Sequence, residues 1–387
     1  MSRKQLLLLF ICNLVPGTIA NGLTPVLPIY ALQLGVSKAA SGYYLAFAFF
    51  FVAVGMILAG WLADILQRRK LLLIISSGIL IPSIWLIGRA TNIWQLAGAT
   101  AAVWFSGGML VSVIIILAGL SASKERRGRV LGFIGMTAGF GSIIGGLSIG
   151  PIVDRWGYPT MFTALCLFSL ILLVCVFFVK DKKLEQETNK TTQTLNRKSS
   201  FGKTFFLLLL AHLVVMTTSS VANLGRSLSM NSLGFAATAV TSTVVVSGLV
   251  SLPFPFMLGW LSDRKGRKRM IEISYTSMGL CMVMLAISSS LWHFWIAIIL
   301  LKLGLVSMNV GQAFVADLIE PKALGRGAST FFATQFIAQT IGYIVGGKAH
   351  QDFGIAPTSF VSTALPVIGI ILIMLIRVRK KEQVCTE

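Results

Sequence analysis

Lys302 lies inside an apolar run, flanked by Ile298, Ile299, Leu300, Leu301, Leu303 and Leu305. It follows Trp292 by ten residues, about 15 Å along a helix. An ammonium group in such surroundings needs water, an anion or a carbonyl beside it. Two roles meet that need: a place on the wall of a wet cavity, or a structural lysine that snorkels or bonds to carbonyls. His212 is eight or nine residues into another apolar run. With an ordinary pKa of about 6.5, an imidazole exchanges protons near neutral pH; as a neutral ring it equally serves as a bonded strut between helices. Amides recur in similar settings. Asn13 and Asn21 share one helical face with Gly17, Asn223 lies further along the run of His212, Asn309 is two turns past Lys302, and Gln335 and Gln339 are one turn apart. They suit an uncharged or mixed ligand and also suit helix packing. The 13 acids all fall in loops, tails or helix ends on this reading. A cavity holding Lys302 and no carboxylate would be positive, favouring anionic or zwitterionic cargo. Proton coupling would then need His212, a terminal acid such as Asp154, or the cargo itself. No phosphate-binding loop, metal-ligand cluster or nucleophile with a base occurs, so no enzyme activity, cofactor or metal is expected.

The elements that position these groups follow from hydropathy. The chain has 387 residues, of which 55% are hydrophobic and 12% charged, with a mean hydropathy of +0.83. That composition excludes a soluble globule and predicts an all-α integral membrane protein. About twelve spans of bilayer-crossing length are predicted, over 6–34, 39–63, 71–90, 94–121, 130–153, 159–179, 204–228, 236–258, 270–289, 292–316, 327–348 and 355–376. Arg3 and Lys4 before an apolar run could open a leader peptide. The run continues through Asn13, Pro16, Asn21, Pro25 and Pro28, which suits a retained, irregular first span. Net charge is +20, and the cations sit in turns between apolar runs, so no nucleic-acid partner is expected. On one predicted side lie 27 of the 33 lysines and arginines, which places both termini in the cytoplasm. The five cysteines imply neither a disulfide framework nor a metal site. A polar, charged stretch over 181–203 reads as a cytoplasmic linker between six-helix halves at 1–180 and 204–387, the latter ending in a short tail.

The halves repeat one another. Gly60-Trp-Leu-Ala-Asp64-Ile-Leu-Gln-Arg68-Arg69-Lys70 returns 199 residues later as Gly259-Trp-Leu-Ser-Asp263-Arg-Lys-Gly266-Arg267-Lys268-Arg269. Gly141, Gly145 and Gly146 in the fifth span are answered by Gly342, Gly346 and Gly347 in the eleventh. So much helical glycine is destabilising unless another backbone packs closely, so these are expected to be helix-packing positions. Parallel repeats of this size mark a transporter built around a central site.

The doubled stretch resembles the loop motif of the major facilitator superfamily, Gly-x-Leu-small-Asp-basic-x-Gly-basic-basic. The second copy matches throughout; the first has Ile65 where a cation is usual and Gln67 where glycine is usual. Pro25 to Gly35 is similar to the outer end of the first helix in the drug:proton antiporter branch, and Gly141-Ser-Ile-Ile-Gly-Gly146 resembles its antiporter motif with Ser142 in place of proline. The resemblance implies alternating access in a bacterial inner membrane, with the first, fourth, seventh and tenth helices lining a cavity. Expected cavity residues are Lys302, His212, Asn13, Asn21, Asn223, Asn309, Gln335, Gln339 and Trp104. The loop motifs would be latches: Asp64 would meet the helix start near Arg326 and Gly327, and Asp263 that near Arg127 and Gly128. Gly60, Arg68, Arg69, Gly259, Gly266 and Arg267 complete them. The implied activity is secondary transport of a small organic molecule, with export and proton antiport expected. Alternatives are import or exchange of anionic metabolites through Lys302, and a non-transporting sensor on the same fold. Expected partners are the small-molecule substrate, the lipid bilayer and protons, and the expected state is a monomer.

Overall fold

A computed structural model describes residues 2–123, 126–181, 202–319 and 324–376, without the side chains of 255, 256, 258–260, 263 and 324–326. Most of the linker expected over 181–203 and the tail after 376 therefore lie outside the described residues. The predicted spans are all present as helix, several of them broken. The first is α1 (Arg3–Leu23) with α2 (Leu27–Gln33); next come α3 (Lys38–Leu66), α4 (Arg69–Ile87) and α5 (Ile93–Ser121). The fifth and sixth are α6 (Arg127–Gly135) and α7 (Thr137–Phe178). The second half runs through α8 (Lys203–Ser232), α9 (Ala237–Ser251), α10 (Phe254–Lys265) and α11 (Arg267–Ala286). It ends with α12 (Leu291–Leu305), α13 (Ser307–Leu318), α14 (Leu324–Asp352), α15 (Ile355–Val361) and α16 (Ala364–Met374).

The breaks have local causes. Pro25 and Pro28 flank the first, and Pro253 stands between α9 and α10, each removing a backbone donor. The fifth and sixth spans meet at Gly157, whose φ of 77° and ψ of 174° end one helix and start another within α7. The tight turn of the first loop motif falls at Gln67, which adopts φ 48° where the second copy has Gly266 at φ 89°. A side chain in the left-handed region costs roughly 1–2 kcal/mol, so the first copy carries a strain that glycine would relieve.

Large apolar side chains such as Ile57, Leu147, Phe178 and Val345 are more than half exposed, as a lipid-facing surface requires. Inside, serine and threonine hydroxyls donate to carbonyls one turn back, for example Ser76 to Leu72 and Ser169 to Leu165. Each half has its own core. The first-half cluster also takes in Leu224, Leu228 and Tyr343 of the second half, and the second-half cluster takes in Ile29 of the first.

These crossings belong to a seam at the end opposite the loop motifs. Along α3 and α14, Gly42 and Gly347 meet backbone to backbone: a Cβ on Gly347 would come within 2.9 Å of the Gly42 Cα. On the other side, α7 lies between α1 and α9. A Cβ on Gly141 would stand 2.8 Å from the Thr18 nitrogen, and one on Gly146 would stand 2.7 Å from the Thr241 carbonyl oxygen. Two helix starts are then capped across the halves. Asp154 of α7 accepts from the backbone N–H of Ala237 at 2.9 Å and of Thr238 at 2.8 Å, at the start of α9, which has no side-chain cap of its own. Gln351 of α14 accepts from the Ala39 N–H at 2.9 Å, at the start of α3. A carboxylate at a helix N-terminus satisfies orphan donors and complements the helix dipole.

Two outcomes check this seam. Gly347→Val should hold α3 and α14 apart, since overpacking a tight contact costs about 1–3 kcal/mol. Cross-linking of Ala39→Cys with Gln351→Cys, in a background lacking the native cysteines, should then slow several-fold; an unchanged rate would show a loose seam. Asp154→Ala should weaken closure by about 1 kcal/mol, the usual worth of a cap. Electron–electron resonance between labels on Thr91→Cys and Asn231→Cys should then show a longer-distance population, and identical distance distributions would exclude the role.

Candidate binding cavity

Below the seam the halves enclose a cavity of about 420 Å³. The first half supplies Asn21, Phe49, Val52, Val103 and Trp104, and the second supplies Ser220, Asn223, Arg226, Ile298, Lys302, Gln335, Gln339 and Tyr343. The wall is thus apolar and aromatic with a few polar groups, as small-molecule sites usually are. Phe49 stacks on Tyr343 across the halves, ring centres 5.0 Å apart, and meets the edge of Trp104 at 6.4 Å. No aspartate or glutamate is among the residues lining the cavity.

Of the residues expected there, Lys302, Asn21, Asn223, Gln335, Gln339 and Trp104 reach the wall. Lys302 falls in the last turn of α12, immediately before the break at Val306, where the helix dipole favours a cation. Asn21 and Asn223 each donate back to a carbonyl one turn earlier, Gly17 and Ser219, at 2.9 Å. The Gln335 and Gln339 side-chain oxygens are buried without a hydrogen-bond partner.

Three expectations are corrected. Asn13 is drawn into its own half, donating to the Thr137 hydroxyl at 2.7 Å. His212 is 1% exposed and stacks on Phe331, ring centres 4.1 Å apart, away from the cavity. Its position in the chain gave its depth but not its bearing around α8. Asn309 is exposed and is not among the residues lining the wall.

The residue that sequence reading missed is Arg226. Reading the seventh span as ending at 228 put this cation at a helix end, whereas α8 continues to Ser232. The signal was its spacing of three from Asn223, which sets both on one face. Arg226 is 4% exposed, and its Nε and Nη1 have no hydrogen-bond partner. It is close enough to act electrostatically on Lys302, Tyr343 and Cys281.

At the other end the loop motifs engage their own halves. Lys70 donates to the Phe177 carbonyl, and its backbone N–H donates to Asp181 at 3.1 Å. Lys268 likewise donates to the carbonyls of Met374 and Ile376 at 3.0 Å, and Arg267 pairs with Asp317 at 2.9 Å. In both copies a cation closes the end of the last helix of its half. Gly60 has open space around it, Arg68 and Arg127 are exposed, and Arg69 is buried. Asp64 is exposed, with no hydrogen bond or ion pair among the described residues. The side chains of Gly259, Asp263 and Arg326 lie outside the described residues. At this end α6, α10 and α13 find their main packing within their own halves. Among the described residues, the hydrogen bonds between the halves lie at the end opposite the motifs.

Comparison with known proteins agrees with this architecture. A sequence model of the Major Facilitator Superfamily matches residues 9–225 and again 205–385. The multi-drug resistance efflux pump PmrA homolog of Lactococcus lactis is 26% identical, covering 98% of this chain and 96% of the relative. Multidrug resistance protein MdtG of Proteus mirabilis is 24% identical over 90% of this chain and 89% of its own. Among solved structures, nucleoside transporter NupG superposes with a TM-score of 0.80 at 15% identity, over 97% of this chain and 99% of that one. A bacterial homolog of the human lysosomal transporter Spinster, inward-facing and unoccupied, superposes at 0.77 with 12% identity over 97% of both chains. Two repeats, six predicted spans in each, a cavity between them and a family match over nearly the whole length lead to one conclusion: the chain belongs to the major facilitator superfamily.

Proposed function

We propose that this protein is a secondary active transporter that exports a small organic molecule across the bacterial inner membrane by alternating access. One observation carries the reading: a cavity walled by both halves, with hydrogen bonds that join the halves at one end and, among the described residues, none at the other. A site so placed changes its exposure when the halves rock, and a rocking pair of repeats is what the superfamily uses. The 27 cations on the motif side support a cytoplasmic location for that side and for both termini. The cavity then faces the cytoplasm, where an exporter loads. The names of the relatives, multidrug efflux proteins, support export as well.

The halves 1–180 and 204–387 would rock as units, with 181–203 as the tether between them. The loop motifs would close the cytoplasmic end in the opposite state: Asp64 at the start of α14 near Arg326, and Asp263 at the start of α6 near Arg127. Exposed and unpartnered, Asp64 is free to make that bond only once the halves swing together. Proton antiport remains part of the reading, with the proton site on Asp154, on His212 or on the substrate. A second reading, import or exchange of anionic or zwitterionic metabolites, is favoured by Lys302 on the wall.

Asp64→Asn should lower turnover about tenfold while changing substrate affinity less than twofold, because the bond it removes exists in one conformation only. Flux into inverted vesicles and equilibrium binding on the same preparation measure the two; parallel losses in both would refute the latch. Substrate moved outward by a proton gradient supports export, inward movement or exchange supports the second reading, and binding with no flux in any direction would leave the sensor.

A further inference from the structure

We propose that Arg226 and Lys302 together form an anion site that holds the carboxylate of an amphipathic organic acid, with Phe49, Trp104 and Tyr343 receiving its apolar body. The inference rests on the reading of this cavity as the transport site, and it names the class of cargo.

A guanidinium is permanently charged and carries five donors in a fixed fork. Arg226 is 4% exposed, its Nε and Nη1 lack acceptors, and it lines the cavity rather than a helix interface. Leaving such donors buried and unpaired is expensive unless something that enters the cavity accepts them. Lys302 raises that cost, since the two cations line the same wall and act on one another. Among the described residues, no carboxylate lines the cavity to offset them. A pair of cations facing enclosed space without a protein counter-ion is therefore matched by an anion from outside. The Arg226 fork suits a planar carboxylate through two parallel bonds, and Lys302 adds a compact third donor.

The rest of the wall decides what is attached to that carboxylate. Phe49 and Trp104 come from the first half and stand with Tyr343 of the second, which also feels the charge of Arg226. Arg226 and the aromatic group line the same cavity, so an acid that carries its charge beside an apolar body meets both. The Gln335 and Gln339 amides offer further polar contacts on the same wall. A small hydrophilic acid would leave the aromatic wall unsatisfied, and a lipophilic cation would meet two like charges. The bound acid would also touch both halves, so its arrival neutralises the cations while bridging the surfaces that must rock.

Isothermal titration of the full-length protein in phosphatidylcholine nanodiscs tests this with three probes of one shape: 2-naphthoate, the neutral 2-naphthamide and the cationic 2-naphthylmethylammonium. Naphthoate should bind about tenfold or more tightly than the amide, the scale expected for a hydrogen bond to a charged group, with the ammonium weakest. Arg226→Gln and Lys302→Gln should each abolish most of that preference while moving amide affinity less than about twofold. Arg226→Lys keeps the charge without the fork, so it should fold where the glutamine variant does not, and should lose part of the preference. Equal binding of naphthoate and amide, tightest binding of the ammonium, or naphthoate affinity indifferent to both Arg226 variants would each overturn the proposal. Flux in proteoliposomes separates the two readings. Naphthoate bound as expected but not carried would uphold the anion site and defeat transport; neutral or cationic compounds carried without naphthoate binding would do the reverse.

Discussion

A hydrocarbon bilayer offers no hydrogen bonds, and this constraint reaches every level of the structure. Backbone groups must pair within helices, so each crossing is a helix and each break needs a local reason, such as Pro253 or Gly157. Serine and threonine hydroxyls turn back to carbonyls one turn earlier for the same reason. Polar groups that find no partner in their own helix must face another helix or an enclosed cavity. Arg226, Lys302, Gln335 and Gln339 all face the cavity, so the solvent's refusal to bond concentrates the chemistry there.

In lipid, helices do not attract one another by burying apolar surface; they associate where they fit. The glycine positions on α3, α7 and α14 supply that fit, and Asp154 and Gln351 add polar bonds to it. Both caps use a side chain from one half and a helix start from the other, so each breaks if the halves separate. They are three hydrogen bonds of modest strength. That scale suits a joint that must open, because a seam holding by tens of kcal/mol could not be traded for a closed motif end by any ligand.

The two loop motifs show the same economy in reverse. Their cations are occupied within each half, Lys70 on Phe177 and Lys268 on Met374 and Ile376, while Asp64 stays unbonded. The anchoring part of the motif is thus engaged and the aspartate is held in reserve. Gln67 carries a turn that its counterpart leaves to Gly266, and pays in backbone strain for a departure visible in the sequence.

Hydropathy and the repeat determined the fold class, the number of crossings, the doubling and the packing glycines, because membrane crossing and close helix approach are properties of local composition. The depth of each polar residue was legible too, since a helix advances by a constant rise. Lys302, Asn21, Asn223, Gln335, Gln339 and Trp104 line one wall. What a linear reading could not supply is bearing: which way a side chain points around its helix axis, and what stands opposite. His212 at the right depth met Phe331, Asn13 met Thr137, and Asn309 lay beyond a break in its helix. Arg226 was overlooked because falling hydropathy after 226 imitates a helix end, while in the fold Ser227 and Ser229 are buried and the helix goes on to Ser232. Tertiary structure alone decided that Arg226 and Lys302 share one wall and that the seal lies at the end away from the motifs, because both depend on how two separately folded halves lean on each other.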